Sequence, residues 1–140
     1  MIVVDTNVTS ELMRPSPSPV VAAWVRGHSA TELYTTSITL AEVRYGIERL
    51  PDSRRKDLLI TTAEEAFSAF TDHVLPFDAA AAVEYAGIVS HRERAGTPID
   101  GFDAQIASIC RTHNATLATR NVKDFENAGI VVIDPWQAPP

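Results

Sequence analysis

Short apolar runs that alternate with helical segments are the feature that most constrains the fold of this chain. Ile2-Val3-Val4 is too short for a helix and rich in β-branched residues, so it predicts a buried strand. Further strands are predicted at 33–36, 73–77, 116–119 and 130–133. Strands that alternate with helices favour a mainly parallel sheet covered on both faces. We therefore predict a single α/β domain over residues 1–140 with a sheet of about five strands.

Polar residues, glycine and proline indicate where the helices begin and end. Asp5-Thr6-Asn7 offers N-cap residues before a predicted helix at 8–14, and the proline-rich segment 15–19 ends that helix. Further helices are predicted from Pro19, after Ser37-Ile38-Thr39, at 53–70, at 79–95 and from near Asp100. Asp134-Pro135-Trp136 closes the fold.

Composition excludes several classes of protein. The net charge of −6 and the pI of about 5.1 argue against a domain that holds nucleic acid on a broad basic surface. Cys110 is the only cysteine, so no internal disulfide or thiolate zinc cluster can form, and its apolar helical context predicts a buried side chain. No apolar run is long enough to span a bilayer, and the N-terminus lacks secretory features, so we expect a cytoplasmic protein.

The histidines do not suggest a zinc site. They show no paired spacing, and we interpret all of them as surface or helix-end residues. They are His28, His73, His91 and His113.

Several carboxylates follow predicted strands or open the helix that leads to one. Asp5, Glu42 and Asp124 come after strands, and Asp100 and Asp103 open the helix before strand 116–119. Sites in parallel α/β sheets form beyond the carboxyl ends of the strands, so these acids are expected to converge. Carboxylate oxygens are ligands that suit Mg²⁺ or Mn²⁺. Like charges gathered in one place repel each other, and a bound cation would offset that repulsion. Such an ion would clamp a phosphodiester and lower the pKa of an attacking water.

Helix capping is the alternative interpretation of these acids. Capping-box spacing occurs at Thr39–Glu42, Asp100–Asp103 and Asn121–Asp124, and spacing alone leaves capping and function both open. Asp5 favours function, because a charge at the end of a buried strand needs a partner. Arg44 and Arg120 flank the acids and are candidates to hold a phosphate, although exposed arginines are common.

Four sequence blocks then suggest a family. They are Ile2-Val3-Val4-Asp5-Thr6-Asn7, Ser37-Ile38-Thr39-Leu40-Ala41-Glu42, Asp103-Ala104-Gln105-Ile106-Ala107 and Thr119-Arg120-Asn121-Val122-Lys123-Asp124-Phe125. In this order, the blocks resemble those of the PIN-domain ribonuclease toxins of the VapC and FitB type, over nearly the whole chain. The closing Asp134-Pro135-Trp136 is similar to the ending of the FitB-like branch.

The resemblance implies a three-layer α/β/α PIN-like domain with Mg²⁺- or Mn²⁺-dependent endoribonuclease activity on RNA. It also implies a homodimer and inhibition by a VapB/FitA-like antitoxin protein. Asp5, Glu42 and Asp103 match the three principal metal-site acids of the family. Asp100 is then left as an outer-shell or capping acid.

The fourth acidic position of the family is less clearly matched. Some members carry an aspartate where this chain has Asn121, so Asp124 is the expected substitute and the number of metal ions stays open. Asn7 and Thr119 match polar positions that support the metal or its waters. The sequence does not reveal which RNA is cleaved.

Two rival functions remain. A catalytically silent PIN-like module would only bind a protein partner. A metal-dependent phosphatase would use Asp5 as its nucleophile, but such enzymes carry a second aspartate where this chain has Asn7.

Overall fold

The computed structural model describes residues 1–137 and contains a parallel sheet. The last three residues of the predicted domain, 138–140, lie outside the described part. The strands are β1 Ile2–Val4, β2 Leu33–Thr36, β3 Val74–Leu75, β4 Thr116–Ala118 and β5 Val132–Ile133. Their order across the sheet is β3-β2-β1-β4-β5, and each neighbouring pair is parallel. The predicted α/β class with a mainly parallel sheet is therefore confirmed, with β1 at the centre.

Helices connect the strands along the chain. They are α1 Thr6–Leu12, α2 Pro19–Arg26, α3 Ser37–Glu48, α4 Arg54–Ser68, α5 Ala79–Arg94 and α6 Gly101–Thr112. Two short 3₁₀ helices, Val122–Phe125 and Pro135–Gln137, flank β5.

The central strand buries both of its faces. Val3 packs with Ile106 and Leu117 on the side covered by α5 and α6. Its neighbour Val4 points to the opposite face and packs with Val8 of α1 and Val21 of α2. This alternation has the period of two that a strand imposes, and it produces the three-layer α/β/α arrangement. A separate apolar cluster joins α3 to α4.

Some predicted boundaries were wrong. β3 spans only two residues of the predicted 73–77, and Pro76 after it has no N–H to donate to a ladder. β5 is shorter than 130–133 because only Val132 and Ile133 pair with β4. α1 begins at Thr6 rather than Val8, because Asp5 itself caps the helix by accepting the Thr6 N–H at 2.8 Å.

Two of the predicted capping boxes are absent. Thr36, not Thr39, is the N-cap of α3, and its hydroxyl accepts the Thr39 N–H at 3.1 Å. Glu42 therefore lies inside the helix and caps nothing. Asn121 makes no side-chain capping bond to the 3₁₀ helix that carries Asp124.

Two single-residue predictions had different outcomes. Cys110 is fully buried on α6, as predicted, and burial raises the pKa of its thiol. His73 departs from the prediction of a surface or helix-end residue, because its ring stacks on Tyr34 and its Nδ1 lies 2.7 Å from the Leu33 carbonyl oxygen. Within residues 1–137, no helix has both the length and the apolar character needed to cross a membrane.

Candidate active site

Asp5 stands directly after the central strand and is only 4% exposed. Its Oδ1 accepts the Thr6 N–H at 2.8 Å, and its Oδ2 accepts the Thr119 hydroxyl at 2.7 Å. Burial raises the pKa of Asp5, and these two hydrogen bonds oppose that effect. Asp5 is thus a buried, oriented carboxylate without a cationic partner among its hydrogen-bond contacts.

Glu42 reaches the same region from α3, the helix that follows β2. Its Oε1 accepts the Thr6 hydroxyl at 2.9 Å, so α1 and α3 are joined at this point. Burial raises the pKa of Glu42, and the charges of Asp5 and Asp100 add to the effect, while the Thr6 bond lowers it. Asp5 is therefore close enough to influence the ionisation of Glu42.

Asp103 enters from the first turn of α6. Asp100 is the N-cap of that helix and accepts the N–H groups of Phe102 and Asp103 at 3.0 and 3.4 Å, so its predicted capping role is present. Burial, followed by the charges of the surrounding acids, raises the pKa of Asp103 to about 7. Those acids are Asp5, Asp100, Asp124 and Glu42.

One open cavity of about 580 Å³ brings three of the predicted acids together. Asp5, Glu42 and Asp103 all line it, although they come from β1, α3 and α6. The remaining lining residues are Thr6, Asn7, Ser10, Glu11, Arg14, Arg120, Asn121 and Trp136.

Asp124 and Asn121 occupy different places. Asn121 lines the cavity, and its backbone N–H donates to the Thr119 hydroxyl oxygen at 3.1 Å. Asp124 is exposed on the neighbouring 3₁₀ helix and does not line the cavity, yet its charge raises the pKa of both Asp5 and Asp103. Asp124 therefore influences the ionisation of the cavity acids through its charge, without lining the cavity itself.

Asn7 and Thr119 form a network beneath Asp5. The Asn7 Nδ2 donates to the Thr119 hydroxyl oxygen at 3.1 Å, and Thr119 in turn donates to Asp5. The Asn7 Oδ1 accepts the Arg120 N–H at 3.3 Å. Both predicted supporting residues thus orient Asp5 or the chain beside it.

Five residues that line this cavity were not predicted from the sequence as site residues: Thr6, Ser10, Glu11, Arg14 and Trp136. Thr6 donates a hydrogen bond to Glu42, and Glu11 accepts one from Arg14. Helical spacing could have indicated two of them, because Asn7, Glu11 and Arg14 are separated by four and three residues and share one face of the first helix and its end.

The donor set fits a hard divalent cation. Carboxylate oxygens suit Mg²⁺ or Mn²⁺, and the pKa values of Asp5, Glu42 and Asp103 are raised first by burial and then by the charges of neighbouring acids, which a bound cation would offset. Within residues 1–137, no three side chains are arranged to enclose one ion. This still suits Mg²⁺, which keeps several waters and uses one or two carboxylates together with substrate phosphates.

Comparisons with known proteins agree with the fold and the cavity. A family model described as PIN domain matches residues 2–131. The chain therefore belongs to the PIN-domain family.

Its relatives place it beside the VapC and FitB toxins. It is 37% identical over 138 residues to VapC ribonuclease Y4jK of Sinorhizobium fredii, covering 98% of this chain and 99% of the relative. It is 36% identical over 137 residues to toxin FitB of Neisseria gonorrhoeae, covering 97% of this chain and 99% of FitB. The crystal structure of FitAcB from Neisseria gonorrhoeae superposes with a TM-score of 0.92 at 36% identity, covering 99% of this chain and all of that one.

Proposed function

We propose that this protein is a Mg²⁺- or Mn²⁺-dependent endoribonuclease that acts in the cytoplasm as the toxin of a toxin–antitoxin pair. The observation that carries the proposal is the convergence of Asp5, Glu42 and Asp103, from three separate elements, on one cavity. A relative named as a VapC ribonuclease, alike over almost all of both chains, supports the reaction class.

Asp5 and Asp103 would hold the ion, with Glu42 beside it and Asp124 contributing charge from outside the cavity. When bound, the cation neutralises the scissile phosphate and lowers the pKa of a water. Thr119 and Thr6 hold the two oxygens of Asp5 in place, through the Thr119 hydroxyl and the Thr6 N–H. The Thr6 hydroxyl donates to Oε1 of Glu42, and within residues 1–137 no hydrogen bond to Oε2 is present, so Oε2 would be available to accept a proton from an attacking water.

The expected partner is a VapB/FitA-like antitoxin, bound to a homodimer of this chain. An apolar groove of about 730 Å³ between α1, α3 and α4 opens beside the carboxylates and shares Thr6, Ser10, Arg14 and Glu42 with the cavity. Val43, Ile47, Leu58 and Leu59 line it, and Leu58 is 62% exposed. We propose that an apolar segment of the antitoxin fills this groove.

The test is cleavage of a mixed cellular RNA by purified protein with Mg²⁺ or Mn²⁺, and with EDTA as the metal-free arm. Asp5→Asn, Glu42→Gln and Asp103→Asn are expected to lower the rate at least a hundredfold, because each removes a carboxylate from the cavity. Asp57→Asn and Glu93→Gln change exposed acids outside the cavity and serve as matched controls. Equal rates for cavity and control variants would refute the proposal.

The same assay separates the rival functions. A silent binding module would cut no RNA with either metal while still binding the antitoxin. A phosphatase would require Asp5 as a nucleophile, but both of its oxygens already accept hydrogen bonds and the side chain is buried. Asn7, at the position of the second phosphatase aspartate, is an amide bonded to Thr119.

A further inference from the structure

We propose that Arg120, seated on the ring of Trp136, forms with Arg14 a cationic wall that binds a backbone phosphate of single-stranded RNA next to the scissile one. The inference rests on the proposed ribonuclease function and assigns a part of the cavity that the carboxylates do not use. All three residues line that cavity.

Arg120 has the geometry of a phosphate ligand. Its guanidinium carbon lies 5.0 Å from the centre of the Trp136 ring, and the residue is exposed. Contact with the face of the indole leaves the in-plane N–H groups of a guanidinium free, and these N–H groups match two phosphate oxygens. The backbone N–H of Arg120 is bonded to Asn7, so this arginine is anchored to the network that orients Asp5.

Arg14 supplies a second positive charge, and a hydrogen bond to the buried acid Glu11 holds this arginine in place. Glu11 is 7% exposed and accepts the Ser18 N–H at 3.0 Å and an Arg14 Nη1 hydrogen bond at 3.2 Å. The Ser18 bond lowers the pKa of Glu11 most, and the charges of Arg14 and Arg120 lower it further. Two arginines around one glutamate leave one positive charge uncompensated in this wall.

An RNA strand needs this wall because of the charge of the protein. The chain carries −6 overall, and the carboxylates that line the same cavity repel any phosphate that a metal does not neutralise. A cation at Asp5 and Asp103 would compensate the scissile phosphate alone. The adjacent phosphate requires a second cation, and the described part of the chain places Arg120 and Arg14 within the same cavity.

Arg44 is the matched control. It was the second arginine that the sequence offered as a phosphate ligand, and it is 37% exposed. Its guanidinium lies 4.0 and 3.9 Å from Glu48 and Glu64, and the residue is not part of the cavity lining. The structure therefore separates two arginines that the sequence could not distinguish.

The experiment measures binding without cleavage. In a Glu42→Gln background with Mg²⁺, which keeps Asp5 and Asp103 as the residues proposed to hold the ion, a short fluorescein-labelled single-stranded RNA is titrated by fluorescence anisotropy over a range of salt concentrations. Arg120→Ala should weaken binding about tenfold, as expected for loss of a charged hydrogen bond. It should also reduce the slope of log affinity against log salt by about 0.7. Arg44→Ala should change neither quantity.

Further variants test the stacked geometry. Arg120→Lys should keep the salt slope but recover only part of the affinity, and Trp136→Leu should weaken binding in the same direction. Full recovery by lysine, or equal affinities for Arg120→Ala and Arg44→Ala, would overturn the proposal. Thermal unfolding monitors folding, and Arg120→Gln replaces the alanine variant if that variant is unfolded.

A cleavage assay with all of the cavity acids in place distinguishes this inference from the function on which it rests. Arg120→Ala should raise KM about tenfold and leave kcat nearly unchanged, because it removes binding common to ground and transition states. If RNA is cut but KM is the same in Arg120→Ala, the proposed cationic wall is refuted and the proposed nuclease function is supported. If no RNA is cut while binding still depends on Arg120, the nuclease function is refuted and the proposed phosphate site is supported.

Discussion

The hydroxyl of Thr119 donates a 2.7 Å hydrogen bond to Oδ2 of Asp5, across 114 positions of sequence. The bond joins the ends of β1 and β4, which are neighbouring parallel strands. The same hydroxyl oxygen accepts the Asn7 side-chain amide and the Asn121 backbone N–H, both at 3.1 Å. One fully buried hydroxyl therefore orients the central carboxylate and two neighbouring segments.

Thr119→Val should weaken both folding and metal binding. Valine keeps the volume but leaves Asp5 Oδ2 without its donor, so the free energy of unfolding should fall by about 2 kcal/mol. Because the lost bond lowers the pKa of Asp5, that pKa should rise further and Mn²⁺ affinity at neutral pH should fall. Urea denaturation and Mn²⁺ titration measure the two effects. Thr116→Val, in the same strand, is the control, and equal losses in the two variants would contradict this role of Thr119.

The ionisation of Asp103 should make the metal-free protein less stable as pH rises from about 4 to about 7. The folded protein holds the Asp103 proton up to a pKa of about 7, whereas the unfolded chain releases it near 3.8. Between these values the folded state binds more protons, so the free energy of unfolding decreases with pH. Asp103→Asn should flatten this dependence in denaturation curves measured in EDTA. Asp57→Asn should preserve it, and an unchanged slope in Asp103→Asn would contradict the assignment.

The place of Asp5 was predictable because a short β-branched run ending in a charge has few interpretations, whereas the choice of Asp103 over Asp100 rested on the family resemblance. Ile2-Val3-Val4 had to be a buried strand, and the rule for parallel sheets then placed Asp5 at the site edge. The cap of α3 was not predictable in the same way, since Thr36 and Thr39 have equal capping chemistry. Only the register of β2 and α3 decides that Thr36 is the cap and that Glu42 takes no part in capping α3.

The cationic wall could not be predicted from the sequence, for a different reason. Glu11 lies in the last turn of α1 and Arg14 follows that helix, so their distance from Arg120 depends on how α1 packs on the sheet. Trp136 is 16 positions from Arg120, and the two meet only through the 3₁₀ helix after β5. Local propensity and spacing carry no information about such contacts. Short strands at the sheet edges were misjudged similarly, because their length is set by the partner strand.

Thr35→Val should stabilise the protein by about 1 kcal/mol, because it removes a buried hydroxyl that has no partner. Thr35 is fully buried in β2, and its Oγ1 makes no hydrogen bond within residues 1–137. Valine has the same shape and a high preference for strands. Chemical denaturation measures the change.

Thr36→Val is the matched control for that substitution. Thr36 is equally buried, but its hydroxyl accepts the Thr39 N–H that begins α3. Its loss should destabilise the protein by about 1 kcal/mol, as removal of a helix cap does. A fall in stability for both variants would show that the Thr35 hydroxyl has a partner, such as a buried water.

Leu58→Asp should separate antitoxin binding from RNA cleavage. Leu58 is 62% exposed on α4 and lines the apolar groove, but it does not line the carboxylate cavity. A charge there would be desolvated by any apolar antitoxin segment, so affinity for that segment should fall more than tenfold. Cleavage of RNA by the free protein should continue at the original rate.

Val83→Asp, at a 74% exposed apolar residue of α5 outside the groove, is the control and should alter neither antitoxin affinity nor cleavage. A synthetic peptide from the C-terminal region of the antitoxin, titrated by calorimetry and as an inhibitor of cleavage, provides both measurements. If the peptide inhibits the Leu58→Asp and Val83→Asp variants equally, the antitoxin occupies another surface.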